Sequence, residues 1–126
     1  MPLSLKPFLM FQGGAAQKAV AAYQVIFPDA ILSDIIHTTE GAFQRATLTV
    51  AGQDVMIFDS PVGHAFTFTP ATSFFVECKD EEEIRRLSEA LLEGGAALMP
   101  LGEYGFSRLF VWLNDRFGVS WQLNLS

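Results

Sequence analysis

Apolar positions along this chain follow two spacings, one of about two residues and one of three to four. Leu5–Gln12 (LKPFLMFQ) is a short apolar run bounded by Gly13-Gly14 and reads as a buried strand. After it, Ala16, Ala19, Val20, Tyr23, Ile26 and Phe27 recur at helical spacing, which puts them on one helix face. Pro28 ends that helix because it cannot continue the hydrogen-bond ladder. Ala30–His37 is β-branched and apolar enough for a strand. In Ala42–Ala51, Phe43, Ala46, Leu48 and Val50 interleave with Gln44, Arg45, Thr47 and Thr49. Gly52 is a turn candidate, and Gln53–Phe58 is a further strand that closes at Asp59-Ser60-Pro61.

The order then repeats. Ala71–Cys78 is strand-like. Asp80 suits an N-cap, with Glu83 three residues on, where a capping-box acid sits. Ile84, Leu87, Ala90 and Leu91 form an apolar stripe, and Glu81–Glu83 fall in the first turn, where negative charge favours the helix dipole. Gly94-Gly95 supply the stop. Two strands are predicted next, around Arg108–Leu113 and over Val119–Leu125, with a tight turn at Asn114–Gly118. Pro7 and Ser73, 66 positions apart, occupy matching places. The pattern predicts two βαβββ modules, about 1–60 and about 71–126, joined by a connection at about 61–70. The sequences of the two halves do not visibly match, so the repeat is one of element order.

Composition narrows the class. A chain of 126 residues is one domain's worth and should bury roughly 65–70% of its unfolded surface. With 50% hydrophobic and 17% charged residues it is too apolar for disorder. No run approaches the ~18–20 apolar residues of a membrane span. Met1–Phe11 carries one Lys and no small-residue cleavage site, which argues against a secretory signal. The single cysteine, Cys78, excludes an intrachain disulfide and a multi-cysteine metal site. Eight basic against 14 acidic residues, a net charge of −6, argues against a nucleic-acid footprint. The expectation is a soluble cytoplasmic domain with no nucleic-acid or membrane partner.

Three segments carry a resemblance: FLMFQGGAAQKAVAAYQVIFPDA, FTFTPATSFFVECKDEEEIRRLSEAL and YGFSRLFVWLNDRFGVSWQL. They resemble the PhnB-like (3-demethylubiquinone-9 3-methyltransferase-like) branch of the vicinal oxygen chelate superfamily, which includes glyoxalase I, bleomycin-resistance proteins and ring-cleaving dioxygenases. Asp115–Gln122, similar to that branch's closing turn and strand, is the most specific part. The resemblance covers nearly the whole chain. It implies a single α+β domain over 1–126, in which two βαβββ modules form curved mixed sheets around a cavity. It also implies a homodimer.

Relatives that do chemistry hold one divalent metal through His, Glu or Gln on the first and last strand of each module. By resemblance those positions fall on or near Pro7 and Ser73, on Gln122, and on Met56 or Phe58. Pro, Met and Phe offer no hard oxygen or imidazole nitrogen, and a catalytic zinc needs about three protein ligands. The expectation is therefore no metal and no cofactor. His37 and His64, with Asp59 and Glu77 near strand ends, form a site only if the fold gathers them. A nucleotide-type methyl-donor motif is also missing: Gly13-Gly14 follows a strand and opens a helix, but lacks the spaced third glycine and the ribose-gripping acid.

Strand alternation from the implied positions gives the cavity lining. With Pro7 go Leu9 and Phe11. With Ser73 go Phe75 and Glu77. With Gln122 goes Asn124, while Trp121, Leu123 and Leu125 face away. Adding Met56, Phe58, His64, Phe66, Tyr104 and Trp112 makes an aromatic, mostly apolar pocket suited to a small aromatic or quinone-like ligand. Tyr104 and Ser107 shape a loop over it. Nucleophilic catalysis is not indicated: acidic Glu77, Asp80 and Glu81 beside Cys78 disfavour a thiolate, and Gly-x-Ser-x-Gly is absent. The reading is a small-molecule binding protein with a metal-free pocket. The alternatives are a glyoxalase- or dioxygenase-type metalloenzyme with an atypical site, and a domain whose cavity is filled by its own side chains.

Overall fold

The computed structural model describes residues 2–126, and the chain divides into two compact units, residues 1–67 and 68–126. In the first unit, β1 (Phe8–Gln12), β2 (Ile31–His37), β3 (Phe43–Val50) and β4 (Gln53–Ser60) form a mixed sheet in the order β1-β4-β3-β2, with β1 parallel to β4. Helix α1 (Ala15–Ile26) lies on one face of it, burying Ala16, Ala19, Val20, Tyr23 and Ile26 as the spacing predicts. Beneath these are Phe11, Ala46, Leu48, Val55 and Ile57, all buried. Five apolar side chains on each layer, removed from water at about 25 cal/mol per Å², account for the cohesion of this half.

The second unit repeats the plan. Strands β5 (Phe74–Glu77), β6 (Ala96–Gly102), β7 (Leu109–Asn114) and β8 (Ser120–Leu125) run β5-β8-β7-β6, with β5 parallel to β8. Helix α2 (Glu81–Leu92) buries Ile84, Leu87, Ser88 and Leu91 against Val111, Leu113, Trp121 and Leu123. Its start is the predicted capping box. The Glu83 N–H donates to Asp80 Oδ1 at 2.8 Å, and Glu83 Oε1 accepts from the Lys79 N–H at 2.9 Å.

Two-module α+β architecture is thus present, with one strand the pattern had not placed. β6 is an edge strand with mostly exposed side chains, a proline at 100 and two register shifts against β7. Neither alternation nor a continuous apolar run marks it. The two helix starts also differ. Gly14, the N-cap of α1, has no side chain, so Asp59 at the end of β4 supplies the acceptor, taking the Gly14 N–H at 3.2 Å and the Ala16 N–H at 2.9 Å.

Candidate functional site

Each sheet has one face against its helix and one face free of it. Which residues occupy the helix-free face follows from register. In the second unit, Phe75 pairs with Gln122, and Gln122 with Trp112. Ser73 precedes β5 on the same side, where its hydroxyl lies 2.7 Å from Ser120 Oγ. That oxygen also accepts from Trp112 Nε1 at 2.9 Å. Ser73, Phe75, Trp112 and Gln122 therefore share one face, as alternation from Ser73 and Gln122 predicts. Phe75 is 57% exposed. Glu77 and Asn124 continue the row, with Asn124 Nδ2 donating to Glu77 Oε1 at 2.9 Å.

Beyond them the loop after β6 closes over the face. The rings of Tyr104 and Phe106 pack on buried Phe110, with centroids 6.2 and 4.9 Å away, and the Tyr104 hydroxyl donates to the Pro100 carbonyl. Two side-chain oxygens here, Asn114 Oδ1 and Asn124 Oδ1, are buried without a partner among the described residues.

In the first unit the expected lining is off by one position. Leu9 and Phe11 face α1, and Phe11 is 2% exposed. The helix-free positions of β1 are Phe8, Met10 and Gln12, which pair with Met56, Phe58 and Ser60. Met56 and Phe58 are thus on the helix-free face, both of them, and the Phe8 and Phe58 rings stand 5.7 Å apart. The error has a physical cause. Both helices begin 66 positions apart, at Ala15 and Glu81, but β1 reaches its cap through Gly13 alone, whereas β5 reaches Asp80 through Cys78 and Lys79. The left-handed pair Gly13 and Gly14, φ +67° and +84°, makes the shorter connection sterically possible. Carrying the helix offset back onto the strand inverts every side chain of β1.

Gln12, which the sequence reading passed over, fastens the loop after β4. Its Oε1 accepts from the His64 N–H at 2.7 Å, and its Nε2 donates to the Phe66 carbonyl at 3.1 Å. His64 Nε2 lies 3.0 Å from Ser60 Oγ, and its ring stacks on Phe66 at 4.7 Å. His64 and Phe66 are therefore held beside the Gln12–Ser60 end of the first sheet. A polar side chain at the last position of an apolar strand was the available signal.

The remaining candidates are not gathered. His37 is exposed at the end of β2, Asp59 caps α1, and Glu77 bonds Asn124 and Ser126. No group of three His, Cys, Asp or Glu side chains able to share a metal occurs among the described residues. Cys78 is buried, and burial first, then Glu83 and Glu77, pushes its thiol from the ordinary 9.0 up to about 11. That shift alone lowers the thiolate fraction near neutral pH about a hundredfold. Labelling by a disulfide reagent at pH 8 should be at least that much slower in the folded protein than in urea; equal rates would refute the assignment.

Paired βαβββ units with this strand order define a protein of the vicinal oxygen chelate class. The fosfomycin resistance protein FosX of Listeria monocytogenes shares the fold at 15% identity, with a TM-score of 0.68 over 98% of this chain and 94% of FosX. Within that class, the profile described as 3-demethylubiquinone-9 3-methyltransferase matches residues 4–124, and the chain belongs to that family, the PhnB-like branch. A PhnB protein from Bacillus cereus is 45% identical, with a TM-score of 0.91 over 98% of this chain and 100% of its own. Protein PA1353 of Pseudomonas aeruginosa is 26% identical, with a TM-score of 0.84 over 99% and 98%. No curated protein matches the chain. No helix among the described residues is long and apolar enough to cross a membrane.

Proposed function

We propose that this chain binds a small apolar or aromatic molecule on the helix-free faces of its sheets, without a metal, and works as a homodimer in the cytoplasm. One observation carries the reading. The helix-free face of the second unit combines half-exposed rings, Phe75 and Trp112, with the unpartnered Gln122 amide and two buried amide oxygens that lack donors. A buried oxygen left without a donor costs about 1–3 kcal/mol, so natural chains rarely keep two on one face for stability alone. Apolar walls with a few isolated polar groups are the composition of a small-molecule site.

The donor set does not suit a divalent metal. The first-strand and last-strand positions that the family resemblance points to carry Pro7, Ser73, Gln122 and Met56 or Phe58, and Ser73 is already bonded to Ser120. Methyl transfer also lacks support. Gly13-Gly14 turns β1 into α1, and two N–H groups of that helix start, those of Gly14 and Ala16, are taken by Asp59. Thirteen large hydrophobic side chains among the described residues are exposed, a surface that pairing with a second copy would cover.

Native mass spectrometry of freshly purified protein tests these points together. The expected result is two chains carrying an organic ligand and no stoichiometric metal. Trp112→Phe combined with Gln122→Ala should release the ligand while the dimer persists. One tightly held divalent ion per chain would instead favour a glyoxalase- or dioxygenase-type enzyme. No ligand mass, and no binding of naphthalene-type probes, would reject the binding reading.

A further inference from the structure

A donor-only group fixes the direction of one hydrogen-bond chain on the second unit's helix-free face. Trp112 Nε1 can only donate, and it donates to Ser120 Oγ at 2.9 Å. Ser120 is 2% exposed, so its own hydroxyl hydrogen must find an acceptor inside the protein. Asn114, opposite Ser120 in register, does not take it, because Asn114 Oδ1 has no partner among the described residues. The acceptor is Ser73 Oγ, 2.7 Å away. The order is therefore Trp112 to Ser120 to Ser73, each donating to the next.

Ser73 ends this chain, half-buried just before β5. Its oxygen is engaged by Ser120, and its side chain makes no further hydrogen bond among the described residues. What it presents to the face is its O–H. A serine on an open surface turns its hydroxyl freely between donating and accepting. Here that turn is blocked, since a Ser73 that donated inward would leave the buried Ser120 hydrogen without an acceptor. A hydroxyl that accepts a hydrogen bond also becomes a stronger donor, and one fed through a second hydroxyl from an indole N–H more so. Phe75, Gln122 and Trp112 lie alongside on the same face. Its registered rows, from Phe75 to Met99 and from Glu77 to Gly102, carry no lysine or arginine. A carboxylate brought there would lose water without gaining a counter-charge.

We propose that Ser73 is the specificity-determining donor of this face, and that the ligand is a neutral aromatic carbonyl compound, a ketone or a quinone. Its ring lies on the Phe75 and Trp112 side chains, and its oxygen accepts from the Ser73 hydroxyl. The inference rests on the reading that the helix-free faces take ligand, and it names the class of ligand for the second of them.

Equilibrium dialysis of the full chain with 2-acetylnaphthalene and with 2-isopropenylnaphthalene, the same shape with CH2 in place of the oxygen, tests it. The quantity read is the ratio of ketone to alkene affinity, because the different hydration of the two free probes then cancels between variants. Ser73→Ala should lower that ratio roughly three- to tenfold, the effect of one neutral hydrogen bond, and leave the alkene affinity unchanged. Ser73→Thr, which keeps the hydroxyl, should keep the ratio. Trp112→Phe should lower the ratio although Ser73 is intact, since Ser120 is then free to accept from Ser73. Both probes lose the same indole contact in that variant, so the ratio isolates the change in the chain. An unchanged ratio in Ser73→Ala, with both probes bound, overturns the role of Ser73 and leaves the apolar face standing. A ratio that falls in Ser73→Ala but holds in Trp112→Phe overturns the direction of the chain. If Ser73→Ala does not fold, Trp112→Phe decides by the same criterion. Failure of both probes to bind the wild type rejects the face and the inference together. Tighter binding of 2-naphthoate than of the ketone rejects the neutral carbonyl.

Discussion

Asp115→Ala should lower the stability of the protein by about 2–6 kcal/mol, a large part of the ~5–15 kcal/mol available to a domain. Asp115 opens the turn from β7 to β8 and is 5% exposed. Its Oδ1 accepts from the Phe117 N–H at 2.9 Å and the Val119 N–H at 3.0 Å, and its Oδ2 accepts from Trp121 Nε1 at 2.9 Å. One carboxylate thus fixes the turn backbone and orients the indole that packs under α2. Alanine leaves those donors without an acceptor, and those of Val119 and Trp121 are buried, at about 1–3 kcal/mol for each. Asparagine retains the shape but turns an amide N–H toward a donor, so Asp115→Asn should lose about half as much. If the alanine variant does not fold, the asparagine variant still gives a urea midpoint. A midpoint within 1 kcal/mol of wild type for asparagine would show that the carboxylate does not organise this turn.

The same residues explain what could be read from the sequence. Helix positions were legible because each helix carries its own apolar stripe and stop, and α2 its own capped start as well. Asp80 with Glu83 and the Gly94-Gly95 stop need no knowledge of tertiary structure. The face assignments of β5 and β8 came from the family resemblance, which implies the positions of Ser73 and Gln122, and from alternation along each strand outward from them. The face of β1 was not legible, because its lining was inferred from a repeat whose strand-to-helix connection is one residue shorter in the first unit. A single residue is all that inverts a strand. β6 escaped because an exposed edge strand has no buried face to pattern. The Gln12–His64 bond joins residues 52 positions apart and leaves no local mark beyond a glutamine in an apolar strand.

Gly95→Ala should be the most damaging exchange that alters a single methyl group. A Cβ at position 95 would stand 2.1 Å from the Asn114 carbonyl oxygen and 3.0 Å from the Asp115 backbone. No side-chain rotation can relieve that overlap, since both partners are main chain. Either the α2–β6 connection lifts off β7 or the start of the Asp115 turn moves. Overpacking costs about 1–3 kcal/mol where side chains can yield, and here the cost should exceed the upper figure. Gly94 works differently: its φ of +73° is the left-handed conformation that ends α2, so Gly94→Ala should cost about 1–2 kcal/mol. Gly63→Ala, at an ordinary φ with open space around it, should be neutral within 0.5 kcal/mol and serves as the control. Urea unfolding of the three variants should rank them in that order. The mechanism makes a sharper demand on the double variant. Because Gly95→Ala acts by displacing the backbone that Asp115 holds, combining it with Asp115→Asn should cost measurably less than the two losses added. Strict additivity, or a Gly95→Ala midpoint equal to that of Gly63→Ala, would mean that the close approach at Asn114 is relieved without moving the turn.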